Sequence, residues 1–274
     1  AKVQLIEGHP QRLREQREVL QTREHEAEYI LMGEWLNREA PIYGVAISNE
    51  LFDAFPVHLV ERRGTELREW YVVNASEEGL DFEIGEASIP ELSQYFEKLG
   101  LEPGDGCRAE VPLAAVKTMR RLAARFERGY MITIDYGYEA EWLYAPWRRM
   151  GTLMAFRAHS PQPNPLVLPG LTDLTSHTDL TSLTMAAKCE GFETTQSVSQ
   201  SEALIALGIG EQLEATRERA ELDVAGFIEA RQAVETLIEP AGLGRIRVLA
   251  QAKGAQLKGL RCLIDPTSLT PGNT

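Results

Sequence analysis

The stretch Ile42–Val57, IYGVAISNELFDAFPV, constrains this chain more than any other. The apolar run Tyr43–Ile47 predicts a strand, and Ser48-Asn49-Glu50 ends it abruptly in polar residues. In an open parallel α/β sheet, ligands bind beyond the carboxyl ends of the strands. Asn49, Glu50 and the following Asp53 therefore stand where chemistry is expected. The same residues also fit a plainer role, in which Asn49 caps a short helix and the two acids sit near its positive end.

The flanking pattern extends the α/β reading. Lys2–Glu7 reads as a strand ending in an acid, Pro10–Leu20 as a helix and Glu28–Met32 as a short strand. From His58 to Ile84 the pieces HLVERR, LREWYVV and LDFEIG, joined by Gly64, Asn74 and Gly79, predict an antiparallel insertion. A helix with Ser88 as its cap and Glu91 completing a capping box follows, and Gly100 ends it. Pro112–Phe126 is amphipathic, and Tyr130–Ile134 is a strand closing on Asp135-Tyr136-Gly137. Tyr144–Pro169, rich in Pro and aromatics, reads as a functional loop. Asp179 caps the next helix, and helices near Gln200–Leu207, Glu211–Glu221 and Val224–Glu239 precede a last strand at Ile246–Gln251. The expected organisation is an α/β core over 1–57 and 106–264, an inserted element over 58–105, a helical C-terminal part and a disordered tail over 265–274.

Charge narrows the partners. With 28 basic and 41 acidic residues the net charge is −13, a field that repels phosphate backbones and anionic membranes and steers cationic protein segments inward. Cys107, Cys189 and Cys262 have neither zinc-ligand nor disulfide spacing, which suits a reducing compartment, cytoplasm or mitochondrial matrix. No apolar run reaches the roughly 18 residues that span a bilayer. The oligomeric state, a homodimer included, stays open. A dinucleotide oxidoreductase would need G-x-G-x-x-G after a strand, and Gly208-Ile209-Gly210 falls between helices instead.

Further candidates lie downstream. Asp135 and Tyr136 offer polar contacts at a strand end, with Gly137 permitting a tight turn. His177, between Asp173 and Asp179, could be a general base or a substrate anchor, while Asp179 also fits a helix cap. Arg148 and Arg157 read first as structural ion-pair partners and second as substrate contacts. No metal site is expected.

Ser48–Val57 resembles the MidA-like family of class I S-adenosylmethionine methyltransferases, which are related to mitochondrial complex I assembly methyltransferases. The resemblance continues in order through Val3–Glu7 with Pro10, Leu13, Arg14 and Gln16, then Thr133–Gly137, then Pro146, Arg148, Gly151–Leu153, Arg157 and His159. It ends with Asp173, Thr175, His177 and Asp179 and the Gln200–Gly208 helix. What it implies is a Rossmann-like sheet that binds S-adenosylmethionine and transfers its methyl to a protein nitrogen, arginine above all. It assigns Glu7 to the ribose hydroxyls, with Asn49 and Glu50 also on the cofactor, and Glu50, Asp53 and His177 to catalysis. Asp135, Tyr136, Arg157, Asp173 and Asp179 would contact substrate. One departure stands out: the family's Gly-rich loop precedes the strand that ends in the ribose acid, and no such loop is present here. That leaves a second reading open, a non-catalytic assembly scaffold retaining the fold.

Overall fold

The computed structural model describes residues 2–21, 27–75, 79–158, 160–218 and 224–263, so the tail expected at 265–274 and His159 lie outside the described residues. Strand β1 (Val3–Glu7) is followed by helix α1 (Pro10–Gln21) and pairs in parallel with β2 (Ala27–Leu31). Helix α2 (Met32–Leu36) leads to β3 (Ile42–Asn49). Arg125 ties α2 to the body by donating to the Trp35 and Ala40 carbonyls and lying 4.2 Å over the Trp35 ring.

Antiparallel strands β4 (His58–Arg63), β5 (Glu66–Asn74) and β6 (Leu80–Glu86) form the insertion, and helix α3 (Glu91–Leu99) packs beside them. A fourth strand, β7 (Arg108–Val111), pairs with β4 and gives the order β6-β5-β4-β7. The cap of α3 differs from expectation. Pro90 occupies the N-cap with no side-chain bond, because the Ser88 amide is drawn instead to the buried Glu69 carboxylate at 2.7 Å.

Helix α4 (Leu113–Ala124) then leads into β8 (Phe126–Asp135), the longest strand, which runs parallel to β3. Short pieces follow: β9 (Gly137–Tyr138), α5 (Ala140–Leu143), and a meander of β10 (Met154–Arg157), β11 (Ser160–Gln162) and β12 (Asp173–Thr175). Strand β13 (Thr178–Asp179) pairs with β9 and feeds α6 (Leu180–Lys188), whose cap is Asp179 as the sequence predicts. The C-terminal part holds β14 (Glu193–Thr194), β15 (Val198–Ser199), helices α7 (Gln200–Leu207), α8 (Ile209–Glu218) and α9 (Val224–Ile238), and β16 (Arg247–Lys253), antiparallel to β8.

Two cores hold this arrangement. Phe126, Met119, Met131 and Leu183 knit α4 and α6 onto the β8 sheet, each large side chain contributing about 1.5–3 kcal/mol by burial. Leu92, Phe96, Val111 and Leu143 join the inserted sheet to α3 and α5. The β3 strand is different. It ends the main sheet, and Tyr43, Val45 and Ile47 on one of its faces are 70%, 59% and 69% exposed. The sequence led us to expect the first three strands in one sheet; instead the β1–β2 pair is not hydrogen-bonded to β3. Parallel strands are ordinarily covered on both faces, so this edge is unusually open.

Candidate active site

The β3–β8 register builds the centre of the site. Asn49 pairs with Ile134, so the next residues, Glu50 and Asp135, leave adjoining strands at the same end. Glu50 donates its amide to the Ile134 carbonyl at 2.8 Å while its φ of 46° swings the chain sharply aside. That left-handed conformation costs a non-glycine residue about 1 kcal/mol. No helix follows, so Asn49 is not a cap; Leu51–Phe55 form an irregular turn that brings Asp53 under the strand ends.

Asp135 is fully buried, and its Oδ2 accepts the Phe52 amide at 2.8 Å while Oδ1 has no partner among the described residues. Burial, reinforced by the negative charge of Asp53, pushes its carboxyl up to about 7, against the Phe52 amide that favours the anion. Asp53, also buried, is raised by burial and by Glu50. Three carboxyl groups thus crowd one strand end, and burial, reinforced by Asp53, keeps a proton on Asp135 near neutral pH.

His177 lies in the β12–β13 turn, whose Ser176 and Thr178 amides donate to the Asp53 and Tyr136 carbonyls at 3.0 and 2.7 Å. Its amide donates to Thr152 Oγ1 at 3.0 Å, its ring lies 5.3 Å from that of Tyr138, and its buried Nδ1 lacks a partner among the described residues. Burial, then the charges of Arg148 and Arg245, push its pKa down to about 4, so the ring is neutral at pH 7. Among the described residues Arg148 pairs with no carboxylate, unlike the ion pairing expected from the sequence; it stacks 4.6 Å over Tyr138 and donates Nε to the Trp142 carbonyl. Tyr136 opens into a cavity of about 700 Å³ also lined by Glu235, Glu239 and Arg245. Burial and Glu50 raise its phenol, against Arg245.

Gly137 has a reason other than a turn: a Cβ there would come 2.5 Å from the Thr178 carbonyl, so only glycine lets β9 approach β13. Asp179 is fully buried; its carboxylate accepts the Tyr95 hydroxyl and the Thr181 and Ser182 amides. It holds the fold, which corrects the expectation of substrate contact. Arg157 and Asp173 sit on the exposed meander without side-chain partners among the described residues and are not brought into the carboxylate cluster. Glu7 lies at the end of β1, accepting the His9 amide at 3.0 Å and Gln16 Nε2 at 3.2 Å. Its lone pairs are only partly used, so two ribose hydroxyls can be accommodated, and the exposed Asn49 amide, at the end of β3, has no partner among the described residues. These two residues fit the cofactor that the resemblance implies. Sequence reasoning missed Tyr138 and Arg245: nothing local marks either, and Arg245 reaches the site only through the antiparallel return of β16.

A Rossmann-like sheet with acids at its strand ends, an antiparallel insertion and a helical C-terminal part is the architecture of a class I methyltransferase. Residues 1–198 match the family model described as "Putative S-adenosyl-L-methionine-dependent methyltransferase", and the chain belongs to this family. A solved structure from Burkholderia thailandensis, described as a "likely methyl transferase" bound to S-adenosyl-homocysteine, is 27% identical with a TM-score of 0.78 over 93% of this chain. A second from the same organism, described as uncharacterized and of the same superfamily, is 26% identical with a TM-score of 0.81 over 95%. The chain spans 65% and 68% of the length of those proteins. No curated protein matches the sequence. Among the described residues, no helix is long and apolar enough to cross a membrane.

Proposed function

We propose that this chain is an S-adenosylmethionine-dependent methyltransferase whose acceptor is a nitrogen of a cationic protein segment, an arginine guanidinium. The observation that carries the reading is the convergence of Glu50, Asp53 and Asp135 at the adjoining ends of β3 and β8. When bound, the cofactor supplies an electrophilic methyl on a sulfonium sulfur. Glu7 would hold its ribose and Asn49 its neighbouring polar edge. Glu50 and Asp53 grip the guanidinium through paired hydrogen bonds, which fixes one nitrogen towards the methyl donor. Glu50, the exposed acid of the cluster, takes the proton that the nitrogen sheds, while the buried Asp135 fixes the Leu51–Phe55 turn through the Phe52 amide. Acidic net charge draws such a substrate in, and the reducing-compartment reading of the cysteines favours cytoplasm or mitochondrial matrix.

A second reading, a non-catalytic assembly scaffold, draws on one observation: Glu7 and Asn49 stand on separate sheets, with the open β3 edge between their roles. Calorimetric titration of S-adenosylhomocysteine decides between them. The enzymatic reading expects micromolar binding that Glu7→Ala weakens at least tenfold, the loss of charge-assisted ribose hydrogen bonds worth about 1.4 kcal/mol or more. Absence of heat with the natural chain overturns it and leaves the scaffold.

A further inference from the structure

Arg62, Arg108, Arg120 and Arg247 each reach a carboxylate of this chain. Arg148 and Arg245 reach none among the described residues, yet both stand at the candidate site. Strand register places Arg245 there. Arg247 pairs with Asp135 across β16 and β8, so Arg245 lies just beyond the strand end where Tyr136 follows. It closes a single 3₁₀ turn, Leu243–Arg245, in which the Gly244 amide donates to the Glu239 carbonyl at 2.9 Å. A Cβ on Gly244 would come 2.5 Å from the Ile238 carbonyl, so this turn is closely packed. The Arg245 side chain is exposed to the cavity it shares with Tyr136 and makes no hydrogen bond among the described residues. The two acids of that cavity are engaged elsewhere: Glu235 with Arg231 at 3.3 Å, and Glu239 with the Ala241 amide at 3.3 Å.

Arg148 approaches from the segment after α5. It lies 4.6 Å over Tyr138, whose ring is 5.3 Å from that of His177. Only its Nε is used, on the Trp142 carbonyl, so its terminal nitrogens keep their donors among the described residues. Both guanidinium charges bear on the His177 ring, whose buried Nδ1 also lacks a partner among the described residues. Next to the acidic strand ends the site therefore has a second pole, of opposite sign. Two like charges acting on one partly buried ring favour an anion beside them, and a guanidinium fork matches a carboxylate. The net charge of −13 repels a free polyanion. A carboxylate carried on the same segment as the arginine held by Glu50 and Asp53 is brought in with it.

We propose that Arg148 and Arg245 bind a side-chain carboxylate of the protein substrate, from an acidic residue that flanks the methyl-accepting one. This rests on the protein-substrate reading above, but it is measured by binding alone. The probe is a labelled Glu-Gly-Arg-Gly-Glu peptide, compared with Gln-Gly-Arg-Gly-Gln, titrated into the full chain and followed by anisotropy. The glutamate peptide binds about tenfold more tightly, against the order that the net charge of the chain imposes. Arg245→Gln and Arg148→Gln each reduce that preference at least threefold, and Arg245→Lys, which keeps the charge, retains part of it.

Equal binding of the two peptides, or binding of neither, overturns the subsite, as does a preference unchanged in either glutamine variant. If Arg148→Gln does not fold, Arg245→Gln decides, since its side chain holds nothing else in place. S-adenosylhomocysteine also carries a carboxylate, so it is titrated into the same variants and should bind them as it binds the natural chain. If Arg245→Gln weakens it about tenfold and leaves the peptide preference intact, the carboxylate is the cofactor's and the proposal is overturned. Binding of S-adenosylhomocysteine without a peptide preference removes the subsite and leaves the methyltransferase reading. The converse removes that reading and leaves the subsite.

Discussion

Glu110→Ala is expected to destabilise the fold by about 3–5 kcal/mol, lowering the midpoint of urea unfolding while leaving its slope unchanged. Glu110 is buried on β7, and its carboxylate accepts the Thr152 amide and hydroxyl and the Leu153 amide at 2.9–3.0 Å. Removing it strands all three donors away from water, and each buried orphan costs about 1–3 kcal/mol. The packing is tight enough to dictate the neighbouring residue. Gly151 has φ +68°, and a Cβ there would sit 2.2 Å from Glu110 Oε1, so Gly151→Ala should repeat much of the loss. Thr152 Oγ1 in turn receives the His177 amide, so the damage reaches the site. Substrate or cofactor binding should weaken in Glu110→Ala even at temperatures where it stays folded. An unchanged urea midpoint would show that another contact secures the loop.

This carboxylate explains what was and was not legible in the sequence. Strand ends can be read locally, because an apolar run that stops at Asn49-Glu50 or Asp135-Tyr136 must turn there. Those residues do converge, since β3 and β8 are adjacent and parallel. Asp179 was legible as a cap for the same reason: a capping carboxylate serves amides immediately downstream. Glu110 was not, because its donors lie about forty residues away on a loop, and nothing in RAEV marks one acid as internal. The cap expected of Ser88 failed through a similar long-range competition, with Glu69 taking its amide. The placement of β7 in the inserted sheet also depends on register with β4. Local propensity can be read, but the partner of a buried polar group depends on tertiary proximity.

Asp135→Asn is expected to stabilise the protein at pH 7.5, by roughly 4 kcal/mol if the full shift is realised at about 1.36 kcal/mol per pH unit. In the folded chain its carboxyl is raised from 3.8 to about 7, so the folded state holds the proton more tightly than the unfolded state does. Its contribution is therefore fully present below about pH 3.8 and is lost as the pH rises through 7. His177 works in the opposite sense. Its pKa falls from 6.5 to about 4, so its contribution is present above 6.5 and is lost as the pH falls towards 4. Between those limits the two residues oppose each other, and each substitution should unmask the other. Asp135→Asn leaves stability rising with pH from 4 to 6.5, and His177→Gln leaves it falling from 4 to 7. Thermal unfolding of both variants across pH 4–8 checks this, and parallel curves for variant and natural protein would refute it. A buried acid that costs stability at working pH is poorly explained by packing alone. It lies beneath the exposed Glu50, at the strand end where a cationic group would bind. A guanidinium held by Glu50 and Asp53 would pull the Asp135 carboxyl back towards its ordinary range, so binding of an arginine peptide should release protons near pH 7. Calorimetry in buffers of different ionisation heat would count those protons, and Asp135→Asn should abolish their release.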